Sequence, residues 1–239
     1  MKTFYLFGIS LVLFIGSAFS QNWPRFRGPN GSGGSDSSIP SKWDNSSYRW
    51  SVKLHENGHG SPSVWGKRVF LNSSADKGKT RKVICIDSDT GKTNWSRSYS
   101  SKTHKTHRFN SFASSTPALD DSHVYSVWGH ATELMVTAHN HYGDLIWEKD
   151  LGGVNGGHGF AVSPIVFEDL LIVPNDQEKG GGAHYALDCK TGKIKWKVPR
   201  ESKRLTYSTP CIFTTPNGRH ELIFTNWWLG FTSMEPRTG

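Results

Sequence analysis

The chain is short of the residues that would make it a disulfide framework, a zinc protein or a membrane bundle. Its 239 residues include three cysteines, Cys85, Cys189 and Cys211. No Cys-x-x-Cys pair occurs, so a zinc site of that kind has no support. An odd count leaves two readings, one disulfide with a free thiol or three unpaired thiols. The second is preferred: Cys85 and Cys211 sit in strand-like apolar runs, where cysteine behaves as a small hydrophobe, while Cys189 falls in a turn. After residue 20 no apolar run is long enough to span a bilayer. A Gly-x-Ser-x-Gly nucleophile motif is absent. The glycine-rich "GVNGGHG" and "EKGGGAH" do not open helices after strands, which argues against a nucleotide-binding loop. Acidic residues are outnumbered, 20 against 28 Lys and Arg, for a formal net charge of +8. The positive charges are scattered, which reads as a solvated basic face, and no nucleic-acid partner is expected.

What is present begins with a leader. "MKTFYLFGISLVLFIGSAFS" has a lysine at position 2, an apolar run from Phe4 to Ile15 and the small-residue ending Ala18-Phe19-Ser20. Residues 1–20 are therefore expected to be a secretory signal peptide cleaved before Gln21, leaving a periplasmic or secreted protein with no stable membrane span. Residues 21–47 read as an extended lead-in.

Beyond it the sequence repeats. "CIDSDTGKTNW" (Cys85 to Trp95) and "ALDCKTGKIKW" (Ala186 to Trp196) share Asp at the third place, Thr-Gly-Lys at the sixth to eighth and Trp at the eleventh. "TAHNHYGDLIW" (Thr137 to Trp147) keeps the glycine and the tryptophan, and "SMEPRTG" (Ser233 to Gly239) begins a fourth copy. Gly91, Gly143, Gly192 and Gly239 are 52, 49 and 47 residues apart; Pro62, Pro117, Pro164 and Pro210 are 55, 47 and 46 apart. Two markers with one period indicate a repeat architecture.

Between the markers lie apolar segments of four to seven residues, rich in β-branched and aromatic types and bounded by Asp, Ser, Gly and His. These are signals of short antiparallel strands. Four strands per period is the anatomy of a propeller blade. The fold class expected is all-β, with about four blades of a partial ring over residues 48–239. In each turn the glycine supplies a left-handed conformation, and Asp87 and Asp188 accept hydrogen bonds from turn amides. Trp95, Trp147 and Trp196 then stand on outer strands, placed to dock one blade on the next.

"CIDSDTGKTNW" and "ALDCKTGKIKW" resemble the tryptophan-docking motif of pyrroloquinoline quinone (PQQ)-type propeller repeats, also found in outer-membrane assembly-factor propellers. "WPRFRGPNGSG" (Trp23 to Gly33), with the later "GSPSVWGKRVFL", resembles the opening of secreted PQQ-like repeat proteins. The resemblance implies a ring of seven or eight blades, so the chain, ending inside a motif, reads as a fragment. In the family's dehydrogenases PQQ is held with calcium by Glu, Asn and Asp, usually over a vicinal cysteine pair; neither that pair nor such a carboxylate cluster is found here.

Histidines are the main candidates for chemistry. His55 and His59, His104 and His107, and His158 precede the proline marker in three copies, and Arg204 and Tyr207 take that place in the fourth. Residues leading into innermost strands converge on the propeller axis, so His59, His107, Asn110, His158 and Arg204 are expected to line an axial funnel suited to an anionic ligand or a metal. No residue is assigned a catalytic or cofactor-binding role. The expected function is a non-catalytic binding or assembly scaffold whose partner is a protein or cell-envelope component; the alternative is a PQQ- and calcium-dependent dehydrogenase of alcohols or sugars.

Overall fold

The computed structural model describes residues 22–54 and 57–239. The expected signal peptide and His55 lie outside the described residues.

Among the described residues, fifteen strands form four antiparallel sheets. The first contains β1 (Ser63–Trp65), β2 (Arg68–Ala75), β3 (Thr80–Asp87) and β4 (Thr93–Ser100), and the second β5 (Ala118–Leu119), β6 (His123–His130), β7 (Glu133–Asn140) and β8 (Leu145–Asp150). The third contains β9 (Ile165–Phe167), β10 (Leu170–Asn175), β11 (Gly182–Asp188) and β12 (Ile194–Arg200). The fourth contains β13 (Cys211–Thr214), β14 (His220–Asn226) and β15 (Gly230–Met234). Each sheet meanders in sequence order, so every strand bonds to its chain neighbour, and the innermost strands β1, β5 and β9 approach one another. This is an all-β arc of a propeller, with no α-helix among the described residues and no helix long and apolar enough to cross a membrane.

The core lies between sheets. Phe70, Val83 and Cys85 meet Leu119, Val124 and Trp128 between the first two sheets. Val127, Leu134 and Val136 meet Leu171, Leu187 and Leu205 between the next two, and Ile165 and Ile172 meet Leu222 and Phe224 beyond. The side-chain alternation of the strands makes this architecture: one face of each sheet packs on its predecessor and the other on its successor.

The repeated turn closes β3–β4, β7–β8 and β11–β12. Asp87 Oδ1 accepts from the Thr90 amide and hydroxyl, both at 2.8 Å, and Asp188 Oδ1 from those of Thr191, both at 2.9 Å. Asn140 does the same work in the second copy, accepting from Tyr142 N and Asp144 N at 2.9 Å. Gly91, Gly143 and Gly192 have φ of 73°, 91° and 68°, a region a side chain enters only with strain. The strand register shifts just before the turn in all three sheets, between Cys85 and Ile86, Ala138 and His139, and Ala186 and Leu187.

The lead-in folds against the propeller. Trp23 exchanges both backbone hydrogen bonds with Val64 of β1 at 2.8 Å, and the Pro24 carbonyl accepts from Leu119 N of β5 at 2.7 Å. Arg25, only 6% exposed, donates from Nη2 to the Pro210 carbonyl at 2.5 Å, and Asn30 pairs with both backbone groups of Ile212 in β13. Residues 23–30 thereby tie the innermost strands of the first, second and fourth sheets together. All three cysteines are unpaired, and burial raises the thiols of Cys85 and Cys189 to about 11 and about 12.

Candidate functional site

The segments that precede the innermost strands meet on one face of the arc. His59, His107, Asn110 and His158 line a cleft of about 290 Å³ together with Phe109, Ser114, Ala161 and Tyr207. Arg204 does not line it; its guanidinium lies 5.3 Å from the Trp227 ring, and Tyr207, three residues closer to the proline marker, reaches the cleft in its place. His104 faces a different cleft, which includes Lys105 and His130.

The axial cleft is held by hydrogen bonds between copies of the repeat. Asn110 Nδ2 donates to the His158 carbonyl at 2.7 Å, and the His107 amide donates to the same oxygen at 3.3 Å. The His107 and His158 rings meet edge to face with centroids 5.0 Å apart. The His59 amide donates to the Ala113 carbonyl at 3.0 Å and to Ser111 Oγ at 3.1 Å. The segments leading into three consecutive sheets thus contribute imidazoles to one surface. Its polar groups are imidazole, carboxamide, hydroxyl and phenol; no carboxylate is among the residues lining it. Burial raises the Tyr207 phenol to about 12, so it remains a donor at neutral pH.

This donor set does not fit PQQ with calcium. Calcium takes about six to eight oxygen ligands and prefers carboxylates and carbonyls. Here the Asn110 Oδ1 already accepts from the Ser111 amide and from Ser114 Oγ, and the remaining side chains are largely nitrogen donors. Among the described residues no three His, Cys, Asp or Glu side chains are grouped to hold a metal ion.

The expected docking tryptophans form a series. Trp95 Nε1 donates to the His141 carbonyl at 3.0 Å, Trp147 Nε1 to Cys189 at 2.9 Å and Trp196 Nε1 to Pro236 at 2.9 Å. Each acceptor directly follows the turn residue Asn140, Asp188 or Glu235 of the next copy. A Cβ placed on Gly143 or Gly192 would lie 2.7 Å from Cδ2 of Trp95 or Trp147. A fourth member escaped the repeat reading: Trp50 donates to the Ser88 carbonyl at 2.8 Å and covers Gly91. Its spacing of 45 residues from Trp95 was the available signal. Buried polar groups between sheets were also missed. Asp176 accepts from Arg200 Nε at 3.1 Å and from Asn226 Nδ2 at 2.8 Å, while Tyr99 Oη and His139 Nε2 share a 2.5 Å hydrogen bond.

Sheets of this meander, docked through a repeating Trp–Gly contact around an axial cleft, define a PQQ-like β-propeller. Residues 79–214 match the family model for outer membrane protein assembly factor BamB, and the chain belongs to that family. Among solved structures it is similar to the quinohemoprotein alcohol dehydrogenase ADHIIG of Pseudomonas putida HK5, at 17% identity and a TM-score of 0.55 over 74% of this chain and 33% of that one. It is also similar to BamB from Moraxella catarrhalis, at 18% identity and a TM-score of 0.46 over 76% and 52% of the two chains. The first likeness shows a shared fold. The chain spans about a third of the dehydrogenase and about half of the Moraxella protein. No curated protein matches it in sequence.

Proposed function

We propose that the protein is an extracytoplasmic, non-catalytic propeller that binds a protein or another cell-envelope component through the loop-bearing face around the axial cleft. The single observation that carries this reading is the composition of that cleft. Three imidazoles, a carboxamide and a phenol converge there without a carboxylate, a set suited to recognising hydrogen-bonding groups and poorly suited to a calcium-bound quinone. Exposed Phe109 beside it supplies an apolar anchor of the kind that dominates protein contacts. Membership of the assembly-factor family supports a protein partner, and the leader sequence supports a location outside the cytoplasm.

The alternative, a PQQ- and calcium-dependent dehydrogenase, draws on the likeness to quinohemoprotein alcohol dehydrogenase. It would require ligands from outside these residues.

Site-specific photocrosslinking in cells tests the scaffold reading. A photoreactive phenylalanine at position 109 should give a discrete adduct with an envelope protein or lipopolysaccharide, lost in a His107→Ala, His158→Ala background. The same probe at the remote exposed Ile39 should not. Equal labelling from both positions would contradict the reading.

A further inference from the structure

The loop of residues 151–164 has two working sides. His158 faces the axial cleft, whereas Gly156, Gly157 and Gly159 line a second cleft of about 430 Å³ that shares no residue with the first. Its walls are the tips of the β6–β7 and β10–β11 hairpins, with His104 and Lys105 opposite.

This cleft is pre-formed. A Cβ on Gly156 would lie 2.1 Å from Leu205 Cδ1, and one on Gly153 2.1 Å from the Ala131 carbonyl oxygen, so the glycines are there to let the loop press against its neighbours. Glu178 N donates to the Asn155 carbonyl at 2.9 Å, and Gly157 N to Glu178 Oε2 at 3.1 Å.

Its charge is unbalanced. Lys105 and Lys179 stand at the rim, and Glu178, already engaged by Gly157, is the carboxylate lining it. Arg81, 1% exposed, acts electrostatically on His104, and its Nε and Nη2 have no hydrogen-bond partner among the described residues. The guanidinium sits 5.0 Å from the Phe112 ring, and that ring meets His104 edge-on with centroids 5.0 Å apart. Glu133, the carboxylate acting on Arg81, is 3.2 Å from His130 Nε2. Glu133 offsets Arg81 in part, and the two rim lysines against the single carboxylate of Glu178 leave the cleft positive, which favours an anion there. Val154 and Phe160 add apolar surface that such an anion's carbon skeleton would cover.

We propose that this off-axis cleft binds an acidic monosaccharide, its carboxylate held between Lys105, Lys179 and His104 and its ring lying on Val154 and Phe160. The volume is in the range of small-molecule sites and well above that needed by an inorganic anion. The neutral imidazole of His104, depressed by burial and by Arg81, donates one hydrogen bond to the carboxylate without requiring protonation.

Calorimetric titration of the purified protein with glucuronate, glucose and inorganic phosphate tests this. Glucuronate is expected to saturate with a dissociation constant on the order of 1 mM, and glucose and phosphate to bind at least about tenfold more weakly. Replacing both exposed lysines with alanine should weaken glucuronate about tenfold with the melting temperature unchanged. Gly157→Val should do the same, since its Cβ meets only Glu178 Oε2 at 4.0 Å and projects into open space. Tyr207→Phe in the axial cleft should leave the titration unaltered. The proposal is overturned if glucuronate fails to saturate, if glucose or phosphate matches it, or if both cleft variants bind it like the parent protein.

Discussion

Trp95 covers Gly143 across the boundary between the first two sheets: a Cβ on the glycine would lie 2.7 Å from the indole Cδ2, and the indole Nε1 donates to the His141 carbonyl at 3.0 Å. One side chain thereby reads both the shape and the polarity of the neighbouring turn. The turn needs glycine twice over, for a φ of 91° and for the missing Cβ. Trp147 and Gly192 repeat the arrangement one sheet further on.

Trp147→Ala should therefore destabilise the protein by about 3 to 5 kcal/mol, the usual cost of a large-to-small change in a core. Its indole is 9% exposed and belongs to the cluster between the second and third sheets. A loss below about 1 kcal/mol in urea denaturation would remove the blade-docking role.

Gly192→Ala should cost about 1 to 3 kcal/mol from backbone strain alone, with the displaced indole adding to it. Near-ultraviolet circular dichroism should show an altered Trp147 environment. An unchanged spectrum and unchanged stability would mean that the close approach is not maintained in solution.

The repeat frame, strand order and turn chemistry were legible because they are local: Asp, Gly and Trp act within eleven residues, and a fixed period multiplies the signal. The axial cleft was legible in part. His59, His107, Asn110 and His158 reach it because they precede innermost strands, whereas Arg204 turns to the exposed Trp227. That choice between two neighbouring side chains is made by loop conformation, which no periodicity encodes. The lead-in was unreadable for a similar reason. Its bonds from Arg25 to Pro210 and from Asn30 to Ile212 span about 180 residues of chain, and nothing in the sequence near Arg25 names those partners.

Asp176 is 2% exposed and holds Arg200 of its own sheet and Asn226 of the next. Asp176→Ala should cost about 3 to 5 kcal/mol, because it leaves a buried guanidinium without its counter-charge. The free energy of unfolding at neutral pH checks this; a cost near zero would mean that water reaches Arg200.

Burial lowers His139 to about 4 and His184 to about 3 from an ordinary 6.5. Unfolded chains protonate these imidazoles first. Their contribution is fully present above pH 6.5 and is lost as the pH falls toward the folded values, by about 1.4 kcal/mol per pH unit for each histidine. His139→Gln and His184→Gln should each flatten the stability profile between pH 6 and 4.5 by about one proton. Parallel profiles for variants and parent would show that these imidazoles titrate normally in the fold.

The most direct test of the central proposal, that the axial cleft is a recognition site and not a catalytic one, is dye reduction by the purified protein with PQQ, calcium and simple alcohols or aldoses. The protein supplies position and activation to such a cofactor, and a cleft of imidazoles without carboxylates does not supply the calcium ligands that activation needs. The expected result is no reduction of an artificial electron acceptor above that of heat-denatured protein. Saturable, calcium-dependent dye reduction that a chelator abolishes would contradict the account and establish a dehydrogenase.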